Sequence, residues 1–167
     1  MTAVRIGSGL DVHPFVAPDE QGTRPLVLCG VHVPEGPALA GHSDADVGAH
    51  AVADALLGAV ALGDLGARFG VDRPDTADAD SRGLLRAVVA DVATAGWVVG
   101  NVDLTLVAQR PRLAGHREAM RANLAAALQL DVAAVSVKFT TTDRLGTIGR
   151  GEGIAGWCSA LLVEDRR

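Results

Sequence analysis

Three stretches of this chain carry side chains able to do chemistry. Asp11 and His13 stand two apart in a segment that alternates like a strand, and residues i and i+2 of a strand project from the same face. Further on, GHSDADVGAHAVAD (Gly41 to Asp54) runs a polar cluster into a helical repeat: Val47, His50, Ala51, Asp54, Leu57 and Gly58 recur at helical spacing. Asp46, His50 and Asp54 then lie one turn apart along one face, and His42, Ser43 and Asp44 are of types suited to an N-terminal cap. Asp11, His13 and His50 together offer two imidazoles and a carboxylate, a set that suits zinc with one position open for substrate or water. Asp54, a turn beyond His50, is a candidate to orient its imidazole. The third stretch is KFTTTDRLGTIGRGEG (Lys138 to Gly153). Thr140, Thr141, Thr142 and Asp143 bring hydroxyls and a hard oxygen ligand to a strand end, where Mg²⁺ and a diphosphate could bind. Each stretch also has a plainer interpretation: a strand end with ordinary polar residues, a helix with solvated charges, and β-forming threonines before a glycine-shaped turn.

These residues need elements to position them. Val4 to Phe15 predicts a strand turning at Pro14, Arg24 to Val33 a short hairpin, and Asp46 to Leu62 a helix. Gly63 to Asp80 is rich in Gly, Asp and Pro without a repeat, which predicts a mobile loop that closes over bound substrate. Asp80 or Ser81 would cap a second helix, with Leu84, Leu85, Val88, Val89 and Val92 inward and Gly96 as its stop. Trp97 to Ala108 predicts a strand, Gln109 to Leu113 a tight basic turn, and the next helix buries Met120, Leu124 and Leu128. His116, one turn before Met120, is expected to be a partly buried core histidine. Val135 to Thr142 and Ile154 to Val163 complete the strands, with a glycine-rich turn over Leu145 to Gly153. Strands alternating with helices predict an α/β (α+β) fold, a small mixed sheet covered by helices on one side, in one domain over residues 1–167.

Composition narrows the function. Of the 167 residues 49% are apolar but only 3% aromatic, too few for a base-stacking platform. The formal charge of −5 argues against broad nucleic-acid binding, though not against a small phosphorylated substrate held by local cations. Cys29 and Cys158 are too few for a disulfide framework and are expected to be buried. The absence of a signal peptide and of any uncharged apolar run of about 18 residues predicts a cytoplasmic protein that does not touch a membrane.

The motifs DVH, GHSDADVxxH, ALGDLG, ADSR, AQRPR and TTTDRLG…GRGEG follow one another over essentially the whole chain. In that order they resemble the 2-C-methyl-D-erythritol 2,4-cyclodiphosphate synthase family of the non-mevalonate isoprenoid pathway. The resemblance implies cyclisation of 4-diphosphocytidyl-2-C-methyl-D-erythritol 2-phosphate with release of CMP, by a homotrimer whose active sites lie between subunits. It places Asp11, His13 and His50 on a zinc ion and Asp143 on a second divalent ion, Mg²⁺ or Mn²⁺. His42 and Ser43 fall on the loop holding the 2-phosphate, and Asp64 and Gly66 on the segment meeting the methylerythritol hydroxyls. Ala108, Pro111, Arg112, Leu113 and Ala114 fall on the cytidine-phosphate loop. Thr140, Thr141, Thr142 and Asp143 fall on the strand end at the α-phosphate, with Arg150 as a further substrate contact. Asp11 and His13 also border the substrate, and His42 and Thr141 take the catalytic positions. Two segments depart from the family pattern: Gly70 to Arg73, and Thr147, where a phenylalanine is common beside the trimer's central cavity.

Physical logic agrees with this assignment. A phosphate oxygen attacking a diphosphate brings anion to anion, so cations must stabilise the transition state. Holding the two ends of a flexible substrate together is worth about 7–11 kcal/mol. Two rivals remain: a zinc-dependent phosphohydrolase using the same three ligands, and a non-catalytic trimeric binding protein on the same fold.

Overall fold

A computed structural model describes residues 3–17, 24–41, 44–70 and 81–166. Four strands form a mixed sheet in the order β1 (Val4–Pro14), β6 (Gly153–Glu164), β4 (Trp97–Val107), β5 (Val135–Thr140). β6 runs antiparallel to both neighbours, whereas β4 and β5 are parallel and joined by a helical crossover through α4 (Arg117–Leu128). β2 (Val27–Leu28) and β3 (Val31–His32) make the expected hairpin. Helix α1 (Val47–Ala59) packs on β1 and β6, and α3 (Ser81–Thr94) and α4 extend the layer over β4 and β5. Leu56, Leu57, Val88, Leu104, Leu106, Leu124 and Leu162 fill the space between sheet and helices.

The helices cover one face only. Along β1, Gly7 and Gly9 are buried while Ile6, Leu10 and Val12 stand exposed on the other face, beside Trp157 of β6. Glycine on the covered face sets how closely α1 can approach. A Cβ on Gly7 would lie 1.9 Å from the Ala55 carbonyl oxygen, and one on Gly9 2.1 Å from that of Ala51. The helix therefore rests on bare backbone at the strand that carries Asp11 and His13.

Several expectations change. The stretch 63–80 is not all loop: Leu65–Phe69 forms α2, capped by Asp64, whose Oδ1 accepts the Ala67 N–H at 2.7 Å, and ended by Gly70 at φ 78°. Phe69 and Leu65 pack against the core, and these contacts favour helix where the sequence has no repeat. Residues 71–80, including the predicted lid and Asp80, lie outside the described residues. The glycine-rich turn contains a helical turn, α5 (Gly146–Gly149), and β5 ends at Thr140, not Thr142. Leu84 and Val89 are half-buried; Leu85, Val88 and Val92 are the inward positions of α3. Gly96 does end that helix, at φ 84°. Both cysteines are buried. His116 is partly buried, as expected, at the start of α4, with its Nε2 3.2 Å from Glu35.

The glycine contact yields a prediction. Gly9→Ala should destabilise the fold by about 1–3 kcal/mol or more, because the backbone it meets has no rotamer with which to yield. Gly58→Ala, on the open side of α1 where a new Cβ meets only the Ser8 oxygen at 3.9 Å, should stabilise by up to about 1 kcal/mol. Chemical denaturation of both variants is the measurement; similar effects would show that α1 is not locked onto β1.

Candidate metal centre and active site

Asp46 begins the site, in a role different from the one its spacing suggests. It is the N-cap of α1 and fully buried, so it does not share the face of His50. Its Oδ1 accepts the N–H groups of Ala49 at 3.0 Å and Cys29 at 2.7 Å, and its Oδ2 that of Gly30 at 2.6 Å. Cys29 and Gly30 both have positive φ, the turn geometry that matches hairpin twist but disfavours a residue with a Cβ. Burial pushes the Asp46 carboxyl up, while the three N–H groups act the other way. One side chain thus fixes the hairpin turn and the start of α1 together. Asp44, expected in the cap cluster, accepts instead from the N–H groups of Asp46 at 3.2 Å and Ser81 at 2.9 Å. His42 and Ser43 lie outside the described residues.

With α1 so placed, Asp11, His13 and His50 meet. One candidate ligand atom from each lies within 4.8 Å of the others. The Asp11 Oδ2 is 3.0 Å from His13 Nε2 and 3.0 Å from His50 Nδ1. Their side chains are 25%, 19% and 14% exposed respectively, so the cluster opens to solvent. Burial alone would raise the Asp11 carboxyl, but hydrogen bonds and charge from the two histidines hold it well below the usual range. Asp11 in turn raises His13 against the opposing effect of burial. Two nitrogens and a carboxylate oxygen, convergent and half-open, fit a divalent metal of zinc's preferences. Among the described residues this is the one such group.

Asp54 is engaged by another segment, and the charge of His50 acts on its carboxyl. Its Oδ1 accepts the Leu65 N–H at 2.8 Å and ties the Asp64–Gly66 segment to α1. Burial raises its carboxyl, with Asp64 and Asp11 adding to the effect. Asp64 and Gly66 are thereby held beside the same helix.

The remaining candidates gather elsewhere. Ala108 N–H donates to the Thr140 carbonyl at 3.0 Å, and Arg144 N–H to Gln109 Oε1 at 3.2 Å, which joins the 108–114 turn to the 140–143 segment. Pro111 follows a cis peptide bond, Leu113 is buried, and Arg112 and Ala114 are exposed. Thr141 Oγ1 accepts the Asp143 N–H at 3.2 Å, Thr140 donates to the Thr141 carbonyl, and Thr142 spends its hydroxyl on the Leu145 carbonyl at 2.6 Å. Asp143 and Arg144 both have positive φ, at 51° and 68°. Arg150 pairs with Glu152 at 2.5 Å. The two groups sit at the same end of the sheet but not together: Val12, Ala155, Val107 and Thr140 form one register row. Three strand spacings separate its ends, about 14 Å. Sequence reasoning missed Asp44 as a partner of Ser81, and the Ala40 carbonyl, which accepts from His13 Nδ1 at 2.5 Å. The ADSR motif was the available signal for Ser81; nothing in the sequence marks Ala40.

A one-sided mixed α/β sheet with a three-residue N/O centre at its strand ends defines the class. Residues 4–163 match the family model described as the YgbB family, and the chain belongs to that family. It is 54% identical to the 2-C-methyl-D-erythritol 2,4-cyclodiphosphate synthase of Chromobacterium violaceum, over 96% of this chain and 98% of that one. It is 50% identical to the enzyme of the same name from Burkholderia mallei, over 96% of each chain. Among solved structures it resembles the IspF–CDP complex of Plasmodium falciparum, with TM-score 0.84, 30% identity and 99% of each chain covered. It also resembles the bifunctional IspDF of Campylobacter jejuni, with TM-score 0.91 and 38% identity over 98% of this chain and 43% of that one. Among the described residues no helix is long and apolar enough to cross a membrane.

The Asp11–His13 pair has a signed pH dependence in the metal-free protein. Asp11 lies below its ordinary 3.8 and His13 above its ordinary 6.5. The pair therefore stabilises the fold most between those values; the gain is lost as pH falls through the depressed Asp11 pKa or rises through the raised His13 pKa. With chelator present, the melting-temperature gap between the native chain and His13→Ala should be widest between pH 3.8 and 6.5 and narrow as pH rises beyond 6.5. A gap that does not change with pH would show that no such pair forms.

Proposed function

We propose that this protein is a phosphorus–oxygen lyase that converts 4-diphosphocytidyl-2-C-methyl-D-erythritol 2-phosphate into 2-C-methyl-D-erythritol 2,4-cyclodiphosphate and CMP. The meeting of Asp11, His13 and His50 carries this reading, together with family membership over residues 4–163. In the reaction an oxygen of the 2-phosphate attacks the β-phosphorus, the bond from that phosphorus to the α-phosphate oxygen breaks, and CMP leaves with the electron pair. A phosphate nucleophile needs no proton removed, so the protein's task is to fold the substrate and balance charge.

Asp11, His13 and His50 would hold zinc, and Asp143 would share Mg²⁺ or Mn²⁺ with substrate phosphates. Bound there, the two cations supply Lewis-acid stabilisation of charge on the diphosphate. Asp64 and Gly66 take the methylerythritol hydroxyls on a segment held rigid by Asp54 and by the α2 cap. His42 and Ser43 take the 2-phosphate. The 108–114 turn, with Arg112, receives the cytidine phosphate beside Thr140 and Thr141.

Both cation sites must address one diphosphate, yet within a chain they lie at β1 and just beyond β5, the two edge strands, whose paired rows are about 14 Å apart. This supports a site completed by a second copy in a homotrimer. The uncovered apolar face of β1 and β6, with Ile6 at 76% and Trp157 at 57% exposure, is the surface such copies would share.

Two measurements test the proposal. Incubation with the cytidyl substrate should give CMP and a cyclic diphosphate identified by mass; a linear, hydrolysed phosphate would favour a hydrolase. His13→Ala and Asp143→Ala should each abolish turnover, and unfolding then refolding the two together should restore a fraction of it, since mixed oligomers regain some intact sites. No restoration from a mixture that reassembles would place both halves of the site in one chain.

A further inference from the structure

Ser81 has no assigned part in the site, and it is buried at 1% exposure against the ligand histidine. His50 presents Nδ1 to Asp11 at 3.0 Å and Nε2 to the Ser81 hydroxyl oxygen at 3.1 Å. That hydroxyl also bonds closely to Asp44 Oδ1, while Asp44 Oδ2 takes the Ser81 backbone N–H at 2.9 Å. A carboxylate only accepts, and a hydroxyl has one proton to give. With that proton directed to Asp44, the Ser81 oxygen can only accept from His50. Nε2 then carries the imidazole proton, and Nδ1 keeps its lone pair towards Asp11.

His13 shows the same logic with the nitrogens exchanged. Its Nδ1 faces the Ala40 carbonyl at 2.5 Å, an acceptor only, which leaves Nε2 bare towards Asp11. Each histidine is thus held by its outer nitrogen so that the inner one is free to ligate.

Resting on the metal reading above, we infer that Ser81, held by Asp44, is a positioning residue that fixes the tautomer and ring orientation of His50 for metal binding. Groups that orient a ligating imidazole in this way are worth about 10–100-fold in metal affinity. Ser81→Ala isolates the effect, because the backbone N–H that joins Asp44 to the start of α3 remains.

The test uses the full-length protein and zinc itself. Competition against a chromophoric chelator should give the native chain a measurable zinc affinity, and Ser81→Ala one about 10–100-fold weaker. Nitrogen-15 NMR of histidine-labelled, zinc-loaded native protein should show His50 protonated at Nε2, with that proton slow to exchange; in a folded Ser81→Ala it should exchange rapidly. A folded Ser81→Ala with native zinc affinity would overturn the assignment and leave the metal centre standing. Protonation of His50 at Nδ1 in the native protein would overturn it too, and needs no variant to fold. A native chain that takes up no zinc would remove the metal reading and this inference together.

Discussion

The whole arrangement depends on how closely one helix can lie on one strand. α1 approaches β1 at Gly7 and Gly9, where no side chain intervenes and the Ala55 and Ala51 carbonyls would clash with any Cβ. β6 adds Gly156, directly across from Asp11, where a Cβ would lie 2.7 Å from the Val47 carbonyl. The result is a helix set about a side chain's thickness nearer the sheet than leucine or valine there would permit. Only at that depth can His50, projecting from the helix, share a space with Asp11 and His13, projecting from the strand. The small residues of α1, Ala51, Ala55 and Ala59, complete the same fit from the helix side. The alanine and glycine content of the chain is therefore tied to its chemistry as well as to its core.

Depth alone would leave the helix free to slide or turn, and Asp46 removes that freedom. Its carboxylate accepts three backbone N–H groups from two segments, one of them a turn whose Cys29 sits at φ 52°. A buried donor left without a partner costs about 1–3 kcal/mol, so losing this side chain would strand several at once. The raised pKa that burial imposes on Asp46 is the electrostatic counterpart of that arrangement. The carboxylate is costly to bury, and three backbone donors from two segments offset that cost.

How much of this was legible in the sequence follows from the range of each interaction. Strand alternation put Asp11 and His13 on one face, and helical periodicity found α1, α3 and α4, because both signals are local. The donor set was readable by residue type, and its convergence depended on Gly7, Gly9 and Gly156, whose spacing along the strands was visible but whose role requires knowing which helix lands there. Asp46, His50 and Asp54 share helical spacing, yet they serve a hairpin turn, the metal centre and α2 respectively. Such assignments arise from tertiary partners that spacing along one helix does not encode. α2 escaped notice because a helix of five residues has too few positions to show a period. The pairing of β1, β6, β4 and β5, which sets the two groups of candidate residues on opposite edges of the sheet, is likewise a long-range fact.

That parting has an electrostatic consequence. The half built on α1 collects Asp11, Asp44, Asp54 and Asp64, against the imidazoles of His13 and His50 and one guanidinium, Arg24, whose Nη1 donates to the Gly41 carbonyl at 3.0 Å. The other half collects Arg110, Arg112 and Arg144 around the 108–114 turn. Four other cations are matched by carboxylates: Lys138 by Asp103, Arg68 by Asp91, Arg121 by Glu118 and Arg150 by Glu152. In a protein of formal charge −5, a polyanionic substrate would meet the arginine half favourably and the carboxylate half unfavourably. A bound divalent cation shifts the acidic half towards positive charge, and the carboxylates that repel phosphate are among the groups that attract it. On the function proposed above, a metal at Asp11, His13 and His50 would precede the phosphates there, while the nucleotide end would dock on the arginine side without it.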